Sequence, residues 1–179
     1  TAVIIYGYII WGAFSLLYPP ESDLEQGQPT CWRFAVALSG LVFLMILSGG
    51  FVAGTDAGYA YPTFPLMGDS FIPPGIYDTE PFWLAAFEDI TTIQFNHRIF
   101  AYLLIVVILS FSISTLKHGN IRSEARVGVK LVLIMLALQV TLGISTLLLH
   151  MPVPLAAAHQ GGAILLFTSV LFVCHRLGN

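Results

Sequence analysis

The sequence predicts an all-α integral membrane protein: an antiparallel four-helix transmembrane bundle, preceded by a truncated or short N-terminal span and capped by a long outer loop. Three observations predict it. Of 179 residues, 56% are hydrophobic and only 9% charged, where a soluble domain carries about 25% charged residues, and the mean hydropathy is +0.83. Four runs, at 35–53, 99–116, 131–149 and 155–174, contain no Lys, Arg, Asp or Glu, and each approaches the ~20 residues that cross a bilayer. The basic residues between these runs fall on alternate connections, as the positive-inside rule requires of a chain that threads a membrane.

The elements follow in order. Residues 1–18 form the short first span; its run AVIIYGYIIWGAFSLL is uncharged and only just long enough, and the chain begins at Thr1 without a methionine, so a helix cut at its outer end is expected. The run lacks the basic leader and Ala-x-Ala site of a secretory signal, and Pro19-Pro20 reads as a helix stop. Residues 19–34 are an inner loop ending near Arg33, and residues 35–176 make the bundle. Lys117, Arg122, Arg126, Lys130, Arg33 and Arg176 then lie inside, leaving Arg98 as the sole basic residue outside. The outer loop, 54–97, carries Asp56, Asp69, Asp78, Glu80, Glu88 and Asp89. Its Pro and Gly make it irregular, yet Tyr59, Tyr61, Phe64, Phe71, Tyr77, Phe82 and Trp83 make it too apolar for disorder. It is expected to fold over the outer end of the bundle as a cap, the alternative being an aromatic belt at the interface, and the two are compatible. Gly40, Gly49, Gly50, Gly143, Gly161 and Gly162 are expected to allow close helix contact.

Several functional classes are excluded. A net charge of -3 without a basic cluster argues against nucleic acid as a partner. The two cysteines, Cys31 and Cys174, offer neither a disulfide framework nor a CxxC motif.

The five histidines sort by position. His118 and His175 flank inner helix ends beside Lys117 and Arg176, an interfacial placement with no assigned role. His150 closes an outer helix end, where a histidine suits the helix dipole. His97 and His159 differ. A weak repeat, "LSGGFVAG" followed by a helix opening on His97 and "LQVTLGIST" followed by one opening near His159, delivers one histidine each to the outer half of the bundle, on two antiparallel neighbours at the same depth. An ionisable side chain within a span is a functional candidate by default. The alternative is a pair of buried neutral imidazoles, each bonded to a backbone carbonyl. Two facing imidazoles are too few for zinc but suffice as axial metal ligands of a six-coordinate haem, whose apolar slot Phe, Leu, Ile and Val would line. Arg98, next to His97, would pair with the haem propionates; otherwise it snorkels or pairs with Glu88 or Asp89.

Four segments carry a resemblance: "RFAVALSGLVFLMILSGGFVAG", "GGFVAGTDAGYAYPTFPLMGDSFIPP", "FEDITTIQFNHRIFAYLL" and "LQVTLGISTLLLHMPVPLAAAHQGGAILL". From Arg33 to about Phe172 the chain closely resembles the C-terminal half of the haem A synthase family, the eight-helix membrane proteins of cytochrome c oxidase biogenesis. The resemblance implies that His97 and His159 are the axial ligands of haem b. It implies that an N-terminal bundle, with its own histidine pair and a glutamate, meets the substrate haem o, whose C8 methyl group is oxidised to a formyl group to give haem a. That bundle would come from an N-terminal half or a partner chain, and only its last helix is expected here, as residues 2–17. No catalytic residue is assigned within the chain. The implied surroundings are the lipid bilayer of a mitochondrial inner membrane or a bacterial plasma membrane, with respiratory-complex or assembly partners. Cysteines found in outer loops of some family members have no counterpart in 54–98, and Asp56 and Asp69 are expected to serve Asx-turns. Two further classes stay open beside the oxidoreductase: a bis-histidine cytochrome b that only carries electrons, and a structural subunit that kept the fold without the chemistry.

Overall fold

The computed structural model describes residues 1–19, 29–118 and 121–178. Among them are six α-helices: α1 (Ala2–Leu17), α2 (Pro29–Gly54), the single turn α3 (Ala85–Glu88), α4 (Ile90–Lys117), α5 (Ser123–Leu148) and α6 (Val153–Gly178). Helices α2, α4, α5 and α6 are long and apolar enough to cross a membrane, and α1 is a shorter apolar helix. The chain is a multi-pass membrane protein of the all-α class. With no water in the hydrocarbon core to satisfy backbone groups, continuous helices are the form that such runs must take.

The helices begin earlier than hydropathy implies. The inner loop expected to reach residue 34 ends before Pro29, where α2 starts, and the outer loop expected to reach residue 97 ends at Asp89. Hydropathy marks where apolar side chains begin, whereas the hydrogen-bond ladder begins at a cap. Asp89 supplies one: its Oδ2 accepts from the Thr92 amide at 2.7 Å and from the Thr92 hydroxyl. Helix α1 ends at Leu17, with Pro19 just beyond it; Pro20 and most of the expected inner loop lie outside the described residues.

The chain divides into two compact units. One contains Thr1–Phe43, Ile105–Ala137 and Ile164–Asn179. Its core includes Leu38, Val42, Ile108, Phe111, Val129, Val132, Val170 and Val173, all buried. Here α5 approaches α6 closely at Gly128, where an added Cβ would stand 2.7 Å from Val173 Cγ2 and 2.9 Å from Phe172 Cδ1. Helix α1 docks on α6 through aromatic edges, Phe14 and Tyr18 against Phe172 and Trp11 against His175. A bond of 2.7 Å between the Tyr6 hydroxyl and Thr168 Oγ1 joins the same pair of helices. This docking overturns the interfacial placement of His175, which is 1% exposed and whose Nε2 lies 3.3 Å from Ser15 Oγ. A position at a helix end reads as interfacial in sequence; here another helix covers it.

The second unit contains Leu44–Leu104 and Leu138–Ala163. It holds the outer loop, the N-terminal halves of α4 and α6, and the C-terminal ends of α2 and α5.

Candidate functional site

The second unit brings His97 and His159 together. His97 is the eighth residue of α4 and His159 the seventh of α6, about two turns in, and the two imidazoles stand within electrostatic reach of each other. The helices that carry them both enter the unit by their N-terminal halves, so α4 and α6 run in the same direction. The antiparallel pairing expected of these two is corrected by the connectivity: each is the inward-running member of its own hairpin.

Each ring lies over a glycine of a neighbouring helix. A Cβ on Gly49 of α2 would meet His97 Cε1 at 3.5 Å, and one on Gly143 of α5 would meet His159 Cε1 at 3.0 Å. Glycine at these two positions lets a rigid ring lie against a helix backbone. The Nδ1 atoms of the two rings have different surroundings. His97 Nδ1 is 3.1 Å from Ser48 Oγ. His159 Nδ1 is buried and, although the main chain of Gln139 is close by, forms no hydrogen bond of acceptable geometry.

A second reciprocal contact holds α5 to α6. The Gln139 amide lies over Gly162, where a Cβ would fall 2.0 Å from Nε2. Gly162 is three residues beyond His159, and Gly143 four beyond Gln139, so each pair shares a helix face. Each helix therefore lends the other a glycine on which to rest one polar side chain. Of the glycines expected to permit close contact, Gly49, Gly143 and Gly162 do so; an added Cβ at Gly40, Gly50 or Gly161 would meet nothing within 4 Å.

The outer loop is fastened to α4 beside His97. Arg98 donates to the Tyr61 carbonyl at 2.7 Å and the Leu66 carbonyl at 3.3 Å. Gln94, one turn earlier on the same face, is buried and donates to the carbonyls of Gly58 and Tyr61, both at 3.2 Å. Tyr77 bonds through its amide to Thr92 Oγ1 at 3.1 Å and through its hydroxyl to Asn96 Oδ1 at 2.9 Å, and Phe71 stacks on Tyr102. The loop also meets the turn between α5 and α6. An added Cβ on Gly58 would fall 2.3 Å from the Met151 methyl carbon, and both His150 and Met151 of that turn adopt the left-handed conformation, with φ of 62° and 59°. The loop is thus an ordered cover on α4, as its aromatic content implied. Asp56, expected in an Asx-turn, has a left-handed backbone at φ 56° but no side-chain capping bond.

The other histidines stand apart from this pair. His150 is exposed, and the exposed His118 has Nδ1 2.8 Å from the Ser114 carbonyl. Among the described residues no group of three or more His, Cys, Asp or Glu converges as a metal shell. The donor set at the site is therefore two imidazoles. It fits a planar metal complex that supplies its own in-plane ligands and needs only axial ones. Sequence reasoning missed Ser48, Gln94 and Gln139. Gln94 had one legible signal, its spacing of three and four residues from His97 and Arg98; Ser48 and Gln139 had none, because their partners lie on other helices.

Fold and site together define a multi-pass helical membrane protein in which two histidines from separate helices come together in a unit that also holds the outer loop. The chain belongs to the COX15-CtaA family, described as cytochrome oxidase assembly protein, whose pattern matches residues 1–171. It is 48% identical over 98% of its length to "Heme A synthase" of Nitrosospira multiformis and 44% identical over 98% to "Heme A synthase" of Nitrosomonas eutropha, covering 49% and 50% of those proteins. It is 40% identical over 99% of its length to "Heme A synthase COX15" of Homo sapiens, covering 43% of that chain. The chain spans about half the length of the curated relatives that it matches. No solved structure matches it significantly.

Proposed function

We propose that this stretch is the C-terminal, haem b-binding half of a haem A synthase, with His97 and His159 as the axial ligands. In the whole enzyme the C8 methyl group of haem o is oxidised to a formyl group, making haem a for cytochrome c oxidase assembly. One observation carries the reading: two imidazoles from separate helices converge in one unit, each seated on a glycine of a neighbouring helix. The family and the names of the relatives support it.

Haem b supplies one-electron exchange when bound, and oxidation of a methyl to a formyl group requires an acceptor for several electrons. The chain's own residues do the remaining work. His97 and His159 would ligate the haem iron, and the apolar side chains of the spans would exclude water. Arg98 uses two of its five N–H donors on loop carbonyls, and the others are free by number to pair with a propionate at the outer edge. Haem o would be held by the other bundle of the family fold, on the same polypeptide or on a partner chain. The basic residues place the loop side outward, toward the periplasm or the intermembrane space.

The test is a reduced-minus-oxidised absorption spectrum of the detergent-purified chain, with its haems extracted and identified by mass. A low-spin bis-histidine haem b is expected. Haem o or haem a in the extract would show that the substrate also binds within this stretch. Absence of haem would overturn the reading in favour of a structural subunit.

A further inference from the structure

We propose that Ser48 is a positioning residue for the His97 ligand, its hydroxyl holding the imidazole with Nδ1 protonated and Nε2 left free as the ligating nitrogen. The inference rests on the haem reading above and deepens it. Serine and threonine in a helix usually return their hydroxyl to the carbonyl four residues back. Ser39, Thr146 and Ser169 do so here, bonding Ala35, Leu142 and Leu165 at 2.8, 2.7 and 2.9 Å. The Ser48 hydroxyl instead reaches across from α2 to α4 and meets His97 Nδ1 at 3.1 Å. Gly49, the next residue, permits that approach by leaving His97 Cε1 in ordinary contact with the α2 backbone.

A neutral imidazole has one protonated nitrogen, so a hydrogen bond from Nδ1–H leaves the Nε2 lone pair as the ligand. The same bond orients the ring and enriches its donor strength. His159 is seated differently: its ring lies in tighter contact with Gly143, and the main chain of Gln139 is close to it. Ser48 also borders a groove of about 380 Å³ whose walls include Leu44, Leu47, Phe51, Ile93 and Asn96. Water entering that groove could replace a deleted hydroxyl, so the informative substitution fills the space as well as removing the donor.

The experiment uses the haem-loaded chain in detergent and compares Ser48→Val with Ser48→Thr. Two quantities are read: the rate of haem transfer to excess apomyoglobin and the midpoint potential by spectroelectrochemical titration. Ser48→Val should release haem about tenfold faster and have a raised potential, because a weaker imidazole donor stabilises ferric iron less. Ser48→Thr, which keeps the hydroxyl, should match the wild type in both. Equal rates and potentials for Ser48→Val and wild type would overturn the assignment while the bis-histidine spectrum stands. Equal shifts in the Val and Thr variants would also overturn it, by tracing the effect to packing. A wild-type chain without a bis-histidine haem would overturn the functional reading itself, and this inference with it.

Discussion

A methyl group placed on Gly143 would stand 3.0 Å from Cε1 of His159, whereas one on Gly49 would stand 3.5 Å from Cε1 of His97. The first distance requires the ring to shift and the second is an ordinary contact. Gly143→Ala is therefore expected to displace His159 at an overpacking cost of about 1–3 kcal/mol, broadening or weakening the low-spin haem spectrum, while Gly49→Ala leaves that spectrum intact. Equal spectra for the two variants would count against the cradle. His97→Ala and His159→Ala should each abolish six-coordinate haem, and His118→Ala and His150→Ala should not change it. Unchanged spectra in the first pair would remove the ligand assignment. The two candidate histidines were singled out in sequence by a weak repeat that places each near the start of a helix after an outer connection. Their different surroundings were not legible there, because Ser48, Gln139 and the glycines meet them only across helix pairs.

The outer loop and α4 behave as one element. Asp89 caps the helix, Gln94 and Arg98 clasp the loop carbonyls, and Tyr77 bonds to Thr92 and Asn96. Losing an Asp cap costs about 0.5–2 kcal/mol, so Asp89→Ala should speed amide exchange in the first turn of α4 while leaving its interior protected. Arg98→Ala removes two charge-assisted hydrogen bonds, each on the order of 1.5–3 kcal/mol when fully formed. It should expose the segment around Tyr61–Leu66 to limited proteolysis and weaken haem retention, with the axial spectrum still recognisable. A lost axial spectrum would show that Arg98 acts on the ligand rather than on the loop. Hydropathy revealed that α4 existed and where it crossed. It placed the start at residue 99, whereas α4 begins at Ile90, because the cap and the clasp are polar and a hydropathy scale counts them as loop.

In the molecule as a whole, close helix approach falls at a few small residues, and Gly128 is one of them. It lies among Arg126, Val127, Val129 and Lys130, a setting that reads as a solvated helix end. Yet a Cβ there would fall within 2.9 Å of both Val173 and Phe172. Gly128→Ala should lower the unfolding temperature in detergent, consistent with the cost of about 1–3 kcal/mol expected for overpacking a tight core; an unchanged transition would refute the close approach. The two cysteines are free thiols and buried, Cys31 at 3% and Cys174 at 3% exposure. Both should resist maleimide in the folded state and react after denaturation, and ready labelling of either would contradict the packing of α2 and α6.

The sequence by itself determined that the chain crosses a membrane, how many long spans it has, and which two histidines are candidates for a site. These follow from composition and one-dimensional periodicity, because a bilayer imposes length and polarity on each run separately. Only the tertiary structure decided that α4 and α6 present His97 and His159 to each other, that Ser48 bonds one ring while Gly143 packs the other, that Arg98 and Gln94 grip loop carbonyls, and that α1 buries His175. Those are pairings between segments distant in the chain. Packing selects them from many partners of equal hydropathy, and no property of a single run records the choice.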